Sequence, residues 1–287
     1  MKKIKLIEEK IQKKWIPKEE ISVKSCLGKK VYGLVNYGKW KSQEVAIGVH
    51  NIRKMKMDEL NKFIDQIKIL QGINHENIIN FFGVSLNYPE FWVVNEFYPR
   101  KSIYNYLFVL NQKPSRVEQV RIALEIAQGI MYLHTKKIIH QSIRDQNIFL
   151  DRKKKVKLGN FGMFTTQSIS TQDFSNTRDF YWMAPEFLQS QDFSFPVDIF
   201  SFGMILYEIS TLQIPFQNET PMQIPSMIIS GIRPFLSPDN PFADIIQSCW
   251  DGDPEKRLVI KKVLNSLLKL QTKWKNQNPE SIKLDVN

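Results

Sequence analysis

The sequence predicts an α+β chain: a shorter strand-rich portion carrying one main helix, followed by a longer helical portion. Three observations carry this. From Ile21 to Val49 the pattern is strand-like, punctuated by Gly28 and Gly33. From about Met57 to Gln71, the residues Met57, Leu60, Ile64 and Ile67 recur on one helical face. From Glu118 to His134 a longer stripe of Ile122, Ile126, Ile130 and Leu133 marks a strong helix.

Bulk properties narrow the function classes. The 287 residues are ample for a hydrophobic core, and 43% hydrophobic with 24% charged residues is ordinary globular usage. The net charge of +11 comes from lysines scattered along the chain, not interleaved with aromatics in one block, so a nucleic-acid partner is not expected. Cys26 and Cys249 are far apart and imply no disulfide framework, which fits a reducing compartment. Glu8 and Glu9 interrupt the basic N-terminus before any signal-peptide-like apolar run, and no stretch approaches the roughly 20 apolar residues of a membrane span. His50, His75, His134 and His140 lack metal-ligand spacing. A cytoplasmic protein is the expectation.

In chain order, residues 1–15 place Ile4, Ile7, Ile11 and Trp15 at helical spacing, so an amphipathic helix is expected to end before Pro17 and to pack on its own domain. The strand-like stretch holds Gly28-Lys29-Lys30-Val31-Tyr32-Gly33-Leu34-Val35, then Tyr37, Gly38 and Trp40, then Val45-Ala46-Ile47-Gly48. The helix of 57–71 leads to Asn74-His75-Glu76-Asn77-Ile78, and Phe91 to Tyr98 reads as a further strand. The long helix delivers the chain to Ile138-Ile139-His140-Gln141-Ser142-Ile143-Arg144-Asp145-Gln146-Asn147-Ile148-Phe149-Leu150. Lys153-Lys154-Lys155 is a solvated turn before Val156-Lys157-Leu158-Gly159-Asn160-Phe161-Gly162. The next stretch offers Thr165, Thr166, Ser168, Ser170, Thr171, Ser175 and Thr177 as candidate phosphoacceptors. Met183-Ala184-Pro185-Glu186, Asp198-Ile199-Phe200-Ser201-Phe202-Gly203, Cys249-Trp250 and Asp253-Pro254-Glu255-Lys256-Arg257 close the series.

Over roughly residues 21–270 these segments resemble, in order and at the right separations, the motifs of a protein kinase domain. The tyrosine-kinase-like group is nearest, from Trp40 and from Asn147-Ile148-Phe149-Leu150. The resemblance implies a bilobal kinase-like fold: a β-rich N-lobe over 21–98, a helical C-lobe over 99–272, an N-terminal helical extension over 1–20 and a polar tail over 273–287. It implies a nucleotide pocket from Gly28, Gly33, Val35, Ala46, Asn95, Phe97 and Phe149. It implies an apolar spine of Leu70, Phe81, His140 and Phe161, a structural ion pair of Glu186 with Arg257, and a structural Asp198.

At the charge-handling positions the sequence departs from the family. Gly48 stands where the phosphate-gripping lysine would be, and Gln66 where its glutamate partner would be. Ser142 replaces the aspartate that accepts the substrate hydroxyl's proton, and a serine hydroxyl is a far poorer acceptor than a carboxylate. Asn160 replaces the aspartate that binds magnesium, leaving Asn147 as the remaining metal-ligand position. Gln141 replaces the arginine that grips a loop phosphate.

A narrower resemblance joins Ile16-Pro17-Lys18-Glu19-Glu20-Ile21, the Ile143-Arg144-x-x-Asn147 remnant, Val156-Lys157-Leu158 and Ile214-Pro215-Phe216-Gln217 to the mixed lineage kinase domain-like proteins of necroptosis, including truncated poxvirus homologues. From these departures and likenesses the expectation is a pseudokinase, not an enzyme: a decoy that binds a receptor-interacting-protein (RIP)-type kinase domain. It would require no cofactor and bind ATP weakly or not at all. The alternatives are an atypical kinase using Lys30 and Asn147, and a nucleotide-gated scaffold.

Overall fold

The computed structural model describes residues 2–11, 13–30, 33–98, 102–161, 177–191 and 193–277. The chain divides into two compact units, Met1–Pro99 and Arg100–Asn287.

The first unit is built on a five-stranded antiparallel sheet of β1 (Ile21–Lys30), β2 (Gly33–Trp40), β3 (Gln43–Asn51), β4 (Phe81–Asn87) and β5 (Glu90–Glu96), in the order β1-β2-β3-β5-β4. Strand alternation gives this sheet two apolar faces. Val45, Ile47 and Val49 of β3 join Trp92 and Val94 of β5 with Ile16 and Ile21 on one face. Phe91 and Val93 point the other way, into a cluster with Leu60, Ile64 and Ile67 of helix α2 (Met57–Gln71). The α2 helix spans the range its spacing predicts. Its first turn is fixed by the Glu59 carboxylate, which accepts the Lys56 backbone N–H at 2.7 Å. Each large aliphatic side chain fully buried there contributes about 1.5–3 kcal/mol.

Helix α1 (Lys2–Lys10) is shorter than the 1–15 span expected. Ile7 and Ile11 are buried in the α2 cluster, but Trp15 is not part of a helical stripe. The chain instead turns extended and lies parallel along β4: Ile16 N–H donates to Val84 O at 2.8 Å and Val84 N–H to Lys14 O at 2.9 Å. Pairing with a sheet edge outcompetes one further helical turn. This approach needs a glycine opposite, because a Cβ on Gly83 would lie 2.2 Å from Lys14 O and 2.9 Å from Ile16 Cγ1.

The second unit is mainly helical. Helix α3 (Arg116–Thr135) starts where Ser115 Oγ accepts the Glu118 N–H at 3.2 Å. A two-stranded hairpin of β6 (Ile148–Leu150) and β7 (Val156–Leu158) is tied to α3 by the Val156 N–H, 2.6 Å from Glu125 Oε2. Helices α4 (Pro185–Ser190), α5 (Phe195–Thr211), α6 (Ile224–Ile229), α7 (Ala243–Cys249) and α8 (Ile260–Gln277) follow. Most of α5 is buried, as expected of a helix apolar on all sides. Gly203 lets α5 approach α7 closely, since a Cβ there would sit 2.9 Å from Cys249 Cβ. Helix α8 packs against α3. Among the described residues, no helix is long and apolar enough to cross a membrane.

Candidate active site

The site residues expected from sequence fall into two sets, one in each unit. In the first unit, cross-strand register puts several on one sheet face. Val35 pairs with Gly48, Gly48 with Val93, and Ala46 with Asn95. Residues directly opposite on neighbouring strands share a face, so Val35, Ala46, Gly48 and Asn95 form one patch. Phe97 lies just beyond β5, its ring 4.8 Å from that of Tyr37. Gly28 lies within β1 beside a register irregularity, with open space where a Cβ would be. Gly33 opens β2 opposite Lys30; the side chain of Lys30 lies outside the described residues, as does Gly162.

The patch has a specific shape at Gly48. A Cβ there would meet His50 Nε2 at 3.2 Å, and the His50 ring lies tilted against that of Phe63 of α2, their centroids 4.7 Å apart. An imidazole therefore borders the space that a longer side chain at position 48 would enter. Gln66 is half-buried on α2, Leu70 is half-buried against the same cluster, and Phe81 is buried in it.

In the second unit the loop before β6 is held by one buried carboxylate. Asp198, at the start of α5, accepts the backbone N–H of His140 at 2.7 Å and that of Gln141 at 2.8 Å, and meets His134 Nε2 at 2.9 Å. Gln141 sits in the left-handed region at φ 66°, so this clamp holds a conformation that a non-glycine residue rarely adopts. His140 is fully buried, and burial pushes its imidazole down to about 4, so it is neutral near pH 7. Its Nδ1 accepts the Ser142 N–H at 3.3 Å, and its ring lies 6.1 Å from that of Phe161.

Asn147 links the loop to the segment after β7. Its Nδ2 donates to Ser142 O at 2.8 Å and to Ser142 Oγ at 2.7 Å, while its Oδ1 accepts from Asn160 Nδ2 at 2.7 Å. Asn160 takes φ 61°, a conformation asparagine tolerates better than most residues. The donor set at positions 147 and 160 is thus two neutral amides, hydrogen-bonded to each other. A hard divalent cation binds through charged oxygens, so these two residues do not fit one. Among the described residues, no group of three or more His, Cys, Asp or Glu side chains could hold a metal. Phe149, half-buried on β6, forms an isolated bridge with Ser102.

Two ion pairs at this loop were not anticipated. Arg144 Nη1 pairs with Asp179 Oδ1, and Arg178 Nη2 donates to Asp145 Oδ2 at 2.8 Å. The same dipeptide, Arg-Asp, occurs at 144–145 and at 178–179, and the two copies pair crosswise. That repeat was the available sequence signal. Arg178 also lies over the Tyr104 ring at 4.2 Å. Burial pushes the Asp145 carboxyl up to about 6 despite Arg178 beside it. Glu208 of α5, fully buried, is held well above the usual carboxylate range by burial and then by the Asp145 charge. Near the loop an open pocket is bordered by Ser142, Arg144, Asp179, Trp182, Phe187 and Phe193.

Further along, Arg257 grips Glu186 bidentately, Nη1 to Oε1 at 2.6 Å and Nη2 to Oε2 at 2.7 Å. Its Nε donates to Asp251 O at 2.9 Å. Of the seven candidate phosphoacceptors, all but Thr177 lie outside the described residues. Thr177 opens a 3₁₀ turn, Thr177–Trp182, that carries Arg178 and Asp179.

Comparison with known proteins bears on what this arrangement is for. Residues 21–267 match the protein tyrosine and serine/threonine kinase family. Serine/threonine-protein kinase STY17 of Arabidopsis thaliana is 28% identical over 242 residues, covering 83% of this chain and 42% of its own. The probable serine/threonine-protein kinase SIS8 of the same plant is 31% identical over 261 residues, 88% of this chain and 25% of its own. The putative serine/threonine-protein kinase/receptor R818 of Acanthamoeba polyphaga mimivirus is 30% identical over 253 residues, 87% of this chain and 15% of its own. The chain thus spans less than half the length of each. The expectation that it is not an enzyme is overturned by this finding, because relatives so similar over most of the chain are named as kinases. The substitutions at 48, 66, 142 and 160 are departures within an enzyme family: Gly48 on β3 and Gln66 on α2 lie in the first unit, Asn160 follows β7, and Ser142 sits in a loop that keeps its internal scaffold at Asp198 and Asn147. With the family's description covering 21–267 of 287 residues, the chain belongs to the protein tyrosine and serine/threonine kinases.

Proposed function

We propose that this chain is an atypical protein kinase domain of the tyrosine-kinase-like group, one that binds ATP weakly and transfers its γ-phosphoryl group slowly to a serine or threonine hydroxyl. The observation that carries the reading is the scaffolded loop. Asp198 fixes His140 and Gln141, and Asn147 reaches Ser142, so the segment that presents a substrate hydroxyl in this family is held in one conformation. The relatives' printed activity, serine/threonine phosphorylation, supports the acceptor class.

Weak binding and slow turnover follow from the side chains present. Gly48 has no ammonium to hold phosphates, and the amide pair of Asn147 and Asn160 brings no negative charge to a metal. A positioned base is worth about 10²–10⁴ in rate, and Ser142 does not supply one. Purified chain incubated with γ-labelled ATP and a serine/threonine peptide library tests the reading. Slow label transfer, with the ATP dependence unsaturated at micromolar concentration, is expected. No transfer at millimolar ATP sinks it.

A second reading concerns a partner. The likeness of Ile16–Ile21 and Ile214–Gln217 to mixed lineage kinase domain-like proteins favours engagement of a RIP-type kinase domain in the cytoplasm, with necroptosis restrained where that kinase is occupied. Calorimetry against such a domain should give selective sub-micromolar binding, about −8 kcal/mol or tighter. Equal binding to an unrelated kinase domain would remove this reading.

A further inference from the structure

Ser142 leaves the loop without its usual proton acceptor, and the structure places a different carboxylate on the border of the pocket that Ser142 lines. Among the described residues bordering the open pocket next to this loop, Asp179 is the only acid; Ser142 and Arg144 border the same pocket. Asp179 comes from the turn Thr177–Trp182, far from Ser142 in sequence, and is fixed by Arg144, two residues beyond Ser142. Both partners are 22% exposed, so the carboxylate is anchored yet reachable from solvent. The Ser142 hydroxyl oxygen already accepts from Asn147 Nδ2 at 2.7 Å, which lowers its capacity to take a further proton.

We infer that Asp179 is the proton acceptor of this kinase domain, supplied by the turn in place of the missing loop carboxylate. This rests on the kinase reading above. As the acceptor hydroxyl attacks the γ-phosphorus of a nucleoside triphosphate, its O–H proton passes to an Asp179 carboxylate oxygen. The new P–O bond forms while the bond from the γ-phosphorus to the β,γ-bridging oxygen breaks, and the nucleoside diphosphate leaves with that electron pair. Arg144 positions Asp179 and does not touch the reacting atoms.

The test compares four proteins for label transfer from γ-labelled ATP: the unsubstituted chain, Asp179→Asn, the charge-neutral pair Arg144→Gln/Asp179→Asn, and Asp179→Asn with Ser142→Asp. The neutral pair guards against unfolding caused by an unpaired guanidinium. The expected result is a ~10²–10⁴-fold fall in kcat for both variants lacking the carboxylate, with little change in the KM for ATP. Restoring a carboxylate at position 142 should recover most of the rate, which a merely structural role for Asp179 would not allow. Turnover by both carboxylate-free variants within threefold of the unsubstituted chain overturns the assignment and leaves the kinase reading standing. So does an equal loss that Ser142→Asp fails to rescue. No transfer by the unsubstituted chain overturns the kinase reading itself, and this assignment with it.

Discussion

Arg178 and Asp145 meet at 2.8 Å, with Asp145 fully buried and a second buried carboxyl, Glu208, also feeling the Arg178 charge. One cation thus serves two acids. Burial already favours the neutral form of both, and Arg178 is what lets Asp145 ionise near neutral pH. Arg178→Gln should therefore cost about 3 kcal/mol at pH 8, where Asp145 is ionised in the parent. At pH 5, below the Asp145 value of about 6, the cost should be smaller. Urea melts at the two pH values check this, and an equal cost at both would show that the charge is not the issue.

His140 sets a pH limit of the opposite sense. Its folded-state value is lowered to about 4 from the ordinary 6.5. Between those values the unfolded chain binds a proton that the folded chain refuses, so its contribution is full above about 6.5 and is lost as pH falls toward 4. The shift corresponds to about 3 kcal/mol at the acid end. His140→Gln should lower stability at pH 7.5 but flatten the melting-temperature slope between pH 6.5 and 4.5. A parallel slope in parent and variant would remove His140 as its source.

The bidentate pair of Arg257 and Glu186 is inaccessible on the arginine side and nearly so on the glutamate side. Glu186→Gln leaves a buried guanidinium without its counter-charge and should cost about 3–5 kcal/mol. The denaturant midpoint should fall with the slope unchanged, since the folded surface is the same. A loss under 1 kcal/mol would mean that the carbonyls of Asp251 and Pro196 suffice for Arg257.

Gly48→Lys should raise ATP affinity, because position 48 lies on the sheet face shared with Val35, Ala46 and Asn95. The added Cβ would approach His50 Nε2 at 3.2 Å, so the imidazole must shift by a few tenths of an ångström. We expect a larger ATP-induced thermal shift than in the parent, as binding to the folded form alone raises apparent stability. An unchanged shift, with the variant folded, would place the limit on nucleotide binding elsewhere.

The sequence made the architecture readable because periodicity reports directly on burial. The stripe Leu60, Ile64, Ile67 located α2 to the residue, and Ile122, Ile126, Ile130 and Leu133 located α3 within two. It misplaced the end of α1, because Ile4, Ile7, Ile11 and Trp15 keep helical spacing whether or not the backbone stays helical. What stops the helix is a remote edge, Val84, that no local pattern announces. The loop positions at 140–147 were legible through their spacing. Asp179 was not, since its meaning depends on Arg144, a residue 35 positions away. The family comparison, not the substitutions, set aside the reading of a non-enzyme: a side-chain inventory at four positions does not count carboxylates that arrive from another segment.

The extended stretch at Lys14–Ile16 has a consequence for solubility. β4 ends the sheet, and an uncovered end strand offers a row of N–H and C=O groups to any passing chain. Val84 spends its N–H and C=O on Lys14 and Ile16. A chain cut back to Ile21 would leave that row open, flanked by Phe82 and Leu86, and should self-associate in a concentration-dependent way visible by light scattering. Gly83→Ala, which pushes the stretch away without deleting it, should do the same in milder form.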